Sequence, residues 1–148
     1  MGPTADPAVG PRTPADRLGI TPGMVVQEIG VDDDCDAALT EGVLERAGTE
    51  LSPEDSDDVV DAVLLWWRDG DGDLVDALVD ARTRLDASGA IWILTPKAGR
   101  QDHVEPSDII EACPTAGLTQ TSTVPVSPDW VAAKLTVPKG QRSTRSSR

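Results

Sequence analysis

The sequence predicts a three-layer α/β fold: a mostly parallel sheet with helices on its faces and an antiparallel hairpin at its C-terminal end. Residues 59–67 and 90–94 are almost uninterrupted apolar runs, the composition of strands covered on both faces. Segments of helical period separate the β-type runs and supply crossovers of the length that parallel strands need. Phe and Tyr are absent, so Val, Leu, Ile, Ala and four Trp must build the core.

Residues 1–16 hold four prolines and few large apolar side chains, and are expected to be a disordered arm. Residues 17–138 are expected to form a single α/β domain. The short β-branched run Met24-Val25-Val26-Gln27-Glu28-Ile29-Gly30 follows the Pro22-Gly23 turn and predicts the first strand. Asp32, Asp33 and Asp34 place negative charge in the first turn of a helix over 33–47. Ala38, Leu39, Val43, Leu44 and Ala47 follow at helical spacing, and Gly48 lies past the end. The acidic stretch 49–58 is too short for both a strand and a helix, so one unit of the alternation is missing. Residues 59–67 predict the second strand and Asp69-Gly70-Asp71-Gly72 a turn. Asp73, with Asp76 three residues on, caps a helix whose stripe is Leu74, Leu78, Ala81 and Leu85. Ser88-Gly89 ends that helix, and the third strand, 90–94, closes on Thr95-Pro96-Lys97. A third helix starts at Pro106, which suits the first helical position, and ends near Pro114 to Gly117. Residues 118–126 and 130–137, joined by Ser127-Pro128-Asp129, predict the hairpin. Residues 139–148 have no apolar anchor and are expected to be a disordered basic tail.

The formal charge of −13 is unevenly placed: residues 32–80 hold 17 of the 26 acids and only two bases, Arg46 and Arg68. Such a body repels nucleic acid and anionic membrane, and the partner it suits is a basic protein. From Lys134 onward there are five bases and no acid. No apolar run approaches the ~18 residues of a membrane span. Cys35 and Cys113 fall in separate predicted helices, without a metal or redox spacing. They are expected to be reduced thiols in a cytoplasmic protein.

Glu28 and Gly30 stand where a Rossmann-like domain keeps its nucleotide-binding turn, in which glycines let the backbone approach a ligand at a helix N-terminus. Further glycines are absent here, and three carboxylates occupy the place of a phosphate, so a plain strand-to-helix turn explains the same residues. Thr95, Lys97, Arg100 and His103 follow the carboxyl end of a parallel strand, the edge at which open sheets bind ligands. His103 has no neighbouring Ser or Cys nucleophile, and a solvated loop histidine is the simpler reading. Asp69, Asp71 and Asp73 have the alternate spacing of a calcium loop. Leu74 stands where that loop needs glycine and Asp80 where it needs glutamate, which favours a tight turn ending in a helix cap. Trp66 and Trp67 must face opposite sides of the sheet, so at most one of them lines a crevice, and Trp92 and Trp130 are read as core. The hydroxyl-rich tail, with Ser143, Thr144, Ser146 and Ser147, offers sites of phosphorylation.

The stretch Asp61-Ala62-Val63-Leu64-Leu65, a helix, then Leu85-Asp86-Ala87-Ser88-Gly89-Ala90-Ile91-Trp92-Ile93 resembles the fourth-to-fifth-strand segment of class I S-adenosylmethionine methyltransferases. Glu28-Ile29-Gly30 resembles the start of their first motif. The motif's other glycines are missing, as is the acidic residue that would end a second strand and hold the ribose. More specifically, Val25-Val26-Gln27-Glu28-Ile29-Gly30, residues 58–66, Leu94-Thr95-Pro96-Lys97 and Glu105-Pro106-Ser107-Asp108-Ile109 resemble the actinobacterial family catalogued as domain of unknown function 3052, over about residues 18–138. The resemblance implies the Rossmann-like fold and carries no activity. The expectation is a non-catalytic binding or regulatory module, with no cofactor, on a degenerate methyltransferase-like fold. The alternatives are a methyltransferase-like enzyme with an atypical S-adenosylmethionine site at Glu28 and Gly30, and a cation-binding protein using Asp69, Asp71 and Asp73.

Overall fold

The computed structural model describes residues 14–53 and 58–138. The tail and the first thirteen residues of the expected arm lie outside the described residues. In chain order the elements are α1 (Pro14–Arg17), β1 (Val26–Ile29), α2 (Ala37–Ala47), β2 (Val60–Trp66), α3 (Leu74–Thr83), β3 (Leu85–Pro96), α4 (Pro106–Ala116), β4 (Thr119–Pro125) and β5 (Trp130–Thr136). They build a mixed α/β structure around one five-stranded sheet of order β1-β2-β3-β5-β4. The first three strands are parallel, with Ile29 beside Leu65 and Trp66 beside Leu94. β5 runs antiparallel to both β3 and β4 and lies between them. Composition decides which strand of this hairpin is interior. β5 buries Trp130, Ala132, Ala133 and Leu135, whereas β4 is Thr, Gln and Ser with mostly exposed side chains.

Strand alternation divides the core into two clusters. Ala62, Leu64, Trp66, Trp92 and Leu94 pack with Ala15 of α1 and Leu39, Val43 and Ala47 of α2. Val63, Leu65, Ile91 and Ile93 pack with Leu78 and Ala81 of α3 and Ile109, Ala112 and Ala116 of α4.

Three expectations change and a fourth is refined. Residues 14–16, assigned to the arm, form most of α1, because Ala15, 2% exposed, anchors it on the first cluster. α2 begins at Ala37 rather than at 33. Asp36 caps it, its carboxylate accepting from the N–H groups of Ala38 and Leu39, while Asp32 and Cys35 close a separate turn. β3 begins at Leu85, so Ser88-Gly89 lies within a strand and does not end a helix. A Cβ on Gly89 would sit 2.6 Å from the Asp61 carbonyl oxygen, so glycine there answers a close approach of two strands. The missing unit at 49–58 leaves a trace: Ser52 forms a single parallel bridge with Gln27, its N–H donating to the Val26 carbonyl at 2.8 Å. Residues 54–57 lie outside the described residues.

Candidate functional site

The parallel strands end together at Gly30, Trp66 and Leu94, the edge where the sequence places its candidates. Gly30 turns the chain at φ +80°, and a Cβ there would meet the Trp66 carbonyl oxygen at 2.5 Å. Only glycine fits both the angle and the contact.

What fills this edge is Arg68, two residues past β2, with a side chain only 11% exposed. Its Nε and Nη2 donate to the two oxygens of Asp34 at 2.9 and 2.6 Å, the bidentate geometry that planar guanidinium and carboxylate favour. Nη1 donates to the Gly30 carbonyl at 2.8 Å and the Trp66 carbonyl at 3.3 Å. Asp71 accepts from the Arg68 backbone N–H at 3.0 Å and lies 3.5 Å from Nη1. The guanidinium carbon stands 5.4 Å from the centre of the Trp130 ring, a cation–π arrangement. Trp130 meets Trp66 edge to face, 4.8 Å between centroids, and its Nε1 donates to the Asp34 carbonyl at 3.1 Å. The Arg68 guanidinium holds the Asp34 carboxyl below its ordinary value. Cys35 lies 3.1 Å from Arg68 Nη2, yet burial outweighs that neighbour and pushes its thiol up, away from the thiolate a nucleophile requires.

Glu28, expected at a ligand, faces inward: one carboxylate oxygen accepts from Trp66 Nε1 at 2.8 Å and from Thr40 Oγ1 at 2.7 Å. Beside the Arg68 cluster a cleft of about 420 Å³ is lined by Asp34, Pro96, Gly99, Arg100, Asp102 and Trp130, among others. Arg100 pairs with Asp129 across it. Thr95 is buried, and the Lys97 N–H donates to the Asp129 carbonyl. His103 is tied through Nδ1 to the Pro96 carbonyl at 2.8 Å, with Nε2 3.6 Å from Glu105. The structure thus joins Gly30 to Asp34 and Arg68, while Lys97 and His103 tie the neighbouring loop and Thr95 is buried within its strand.

The carboxylates of the Asp69 to Asp73 turn have different partners: Asp71 faces Arg68, and Asp73 caps α3 by accepting from the Asp76 N–H. Among the described residues no group of three or more His, Cys, Asp or Glu side chains could hold a metal ion. Sequence reasoning does not single out Arg68 as a site residue. Its signal was a lone base immediately after an apolar strand within the acidic stretch 32–80.

The family model described as "Protein of unknown function (DUF3052)" matches residues 15–139. An uncharacterized protein of Mycobacterium tuberculosis, Rv2239c, is 49% identical over 131 residues, covering 88% of this chain and 82% of the relative. Mb2263c, an uncharacterized protein of Mycobacterium bovis, gives the same identity and coverage. Among solved structures, a putative methyltransferase from Thermoplasma acidophilum superposes with a TM-score of 0.59 at 12% identity, over 83% of this chain and 72% of that one. A TehB-like SAM-dependent methyltransferase from Corynebacterium glutamicum gives 0.52 at 16% identity, over 88% and 91%. At such identities the likeness is one of fold.

Proposed function

The chain belongs to the DUF3052 family of proteins of unknown function, and on that premise we propose that it is a non-catalytic binding or regulatory module on a methyltransferase-like α/β frame. One observation carries the reading: Arg68 occupies the edge where such a frame would open to its cofactor. The residues present do not fit S-adenosylmethionine. The Gly30 and Trp66 carbonyls accept from the guanidinium, the Glu28 carboxylate is held by Trp66 and Thr40, and Asp34 closes over Arg68. Admitting the cofactor there means displacing a nearly buried guanidinium from its bidentate carboxylate and from two backbone carbonyls.

The test is a thermal-shift titration with S-adenosylmethionine and S-adenosylhomocysteine. A ligand at ~100 times its dissociation constant adds roughly 2.7 kcal/mol and raises the melting temperature by several degrees. No shift is expected with either compound; a saturable rise revives the transferase alternative.

The acidic stretch 32–80 supports a basic protein partner, attracted by long-range charge and released as salt screens it. A captured partner whose binding ignores salt counts against this reading. Two core clusters built from alternate strand residues support the three-layer arrangement. No helix among the described residues is long and apolar enough to cross a membrane, which agrees with a cytoplasmic place of action.

A further inference from the structure

We propose that β4 is a self-association edge, through which two copies of this chain pair antiparallel about Thr121 and join their sheets. β4 lies at the end of the strand order, with β5 on its inner side, so its outer edge faces away from the sheet. The Arg17 guanidinium donates to the Pro125 carbonyl at 3.2 Å, which covers the C-terminal end of the strand and, among the described residues, leaves Thr119–Thr123 as the open stretch. Alongside it runs a groove of about 490 Å³ between β4 and the end of α4, with Ile110, Cys113, Pro114 and Leu118 among its walls. Ile110 is 55% exposed at the rim, among the largest apolar exposures of the described residues.

Two features select a second copy as the occupant. An isologous interface must be self-complementary about its axis. Thr119-Gln120-Thr121-Ser122-Thr123 is nearly palindromic, so antiparallel pairing about Thr121 sets Thr119 against Thr123 and Gln120 against Ser122 of the partner copy. Facing Thr and Ser side chains on paired strands attract through hydrogen bonds. The second feature is charge. Two bodies of −13 repel across most approaches, yet β4 is the one described element without a charged residue, and residues 112–128 contain none. The register shift between Gln120 and Ser122 bends the strand at the proposed axis, so the pairing is expected to be weak and reversible.

The experiment is sedimentation velocity on the full chain over a wide concentration range at low and moderate sodium chloride. Expected is a monomer–dimer equilibrium that shifts toward dimer as salt rises, since screening relieves the repulsion of the two bodies; an ionic interface would respond the opposite way. Thr121→Lys, which sets like charges against each other at the axis, and Ile110→Asp, which charges the rim, are each expected to weaken the dimer at least tenfold. Both positions are exposed, so the melting temperature of the monomer stays near that of the parent. A chain that stays monomeric throughout, or a dimer unchanged by both variants, overturns the proposal. Neither result bears on the closure of the strand edge by Arg68, which the cofactor titration tests separately.

Discussion

Arg68 and Asp34 are unequal partners, and the inequality sets what each substitution costs. The Asp34 side chain is 52% exposed, so Asp34→Asn returns a group to water and is expected to cost only ~0.5–1 kcal/mol, as for other solvent-screened pairs. Arg68 is nearly buried and satisfies two backbone carbonyls besides its carboxylate. Arg68→Ala leaves those acceptors without their donor and opens a void, and about 2–4 kcal/mol is expected from urea denaturation. Equal effects of the two variants would mean that the carboxylate bond, rather than the backbone anchorage, is what Arg68 contributes. The pair also fixes a pH dependence. The folded-state pKa of Asp34 lies below its ordinary value, so its contribution is complete above about pH 4 and is lost as pH falls through the depressed value. Asp34→Asn should therefore be less sensitive to acid in that window than the parent, as thermal melts across it can show. Gly30→Ala is expected to be worse tolerated than most surface changes, by about 2–3 kcal/mol, since it combines a left-handed φ with a contact against unyielding backbone. Of this residue-scale picture, the position of Gly30 at a strand-ending turn was legible in sequence. The Arg68 bonds were not, because they join residues 30, 34, 66 and 68 through a register that only the folded sheet defines.

At the scale of elements the sequence carried most of the answer where burial and capping agree. Pro106 and Gly117 bracket α4 as expected, and Asp73 caps α3 with its oxygen on the Asp76 N–H. Structure and sequence expectation part where local chemistry offers two answers. Three aspartates at 32–34 suit a first helical turn electrostatically, but the Asp36 carboxylate bonds two of the N–H groups that a helix start leaves unpaired, and hydrogen-bonding geometry sets the boundary. Asp36→Ala is accordingly expected to cost ~1 kcal/mol in chemical denaturation and Asp33→Ala close to nothing; the reverse order would restore the earlier start. Ser88-Gly89 suits a helix stop equally well, and the glycine is explained instead by the approach of Asp61 from β2. Strand order within the hairpin follows from composition. The apolar 130–136 segment can be interior and the Thr-rich 119–125 segment can stand at an edge, so Leu135→Ala should cost ~2–5 kcal/mol while Thr123→Ala stays within ~0.5.

For the whole molecule the net charge is legible from composition alone, and the fold gives it a consequence. A compact body carrying −13 is strained by its own charge, and folding brings the described acids of residues 32–80 closer together than the unfolded chain holds them. The described ion pairs relieve this at a few places, chiefly Arg68 with Asp34, Arg46 with Asp16 and Arg100 with Asp129, which still leaves the acids in large excess. Sodium chloride should therefore stabilise the fold by screening. The Debye length falls from ~30 Å at 0.01 M to ~8 Å at 0.15 M ionic strength, so most of the effect is expected over that interval, as a rise of a few degrees in melting temperature. The short Arg68 bonds lie far inside either length and are partly shielded from solvent, so screening cannot cancel the gain by loosening them. Melting curves at fixed, low protein concentration separate this from self-association, because a dimer would add a concentration-dependent rise of its own. A melting temperature that falls as salt is added would mean that attractive pairs, rather than the excess of acids, dominate the electrostatics of the folded chain.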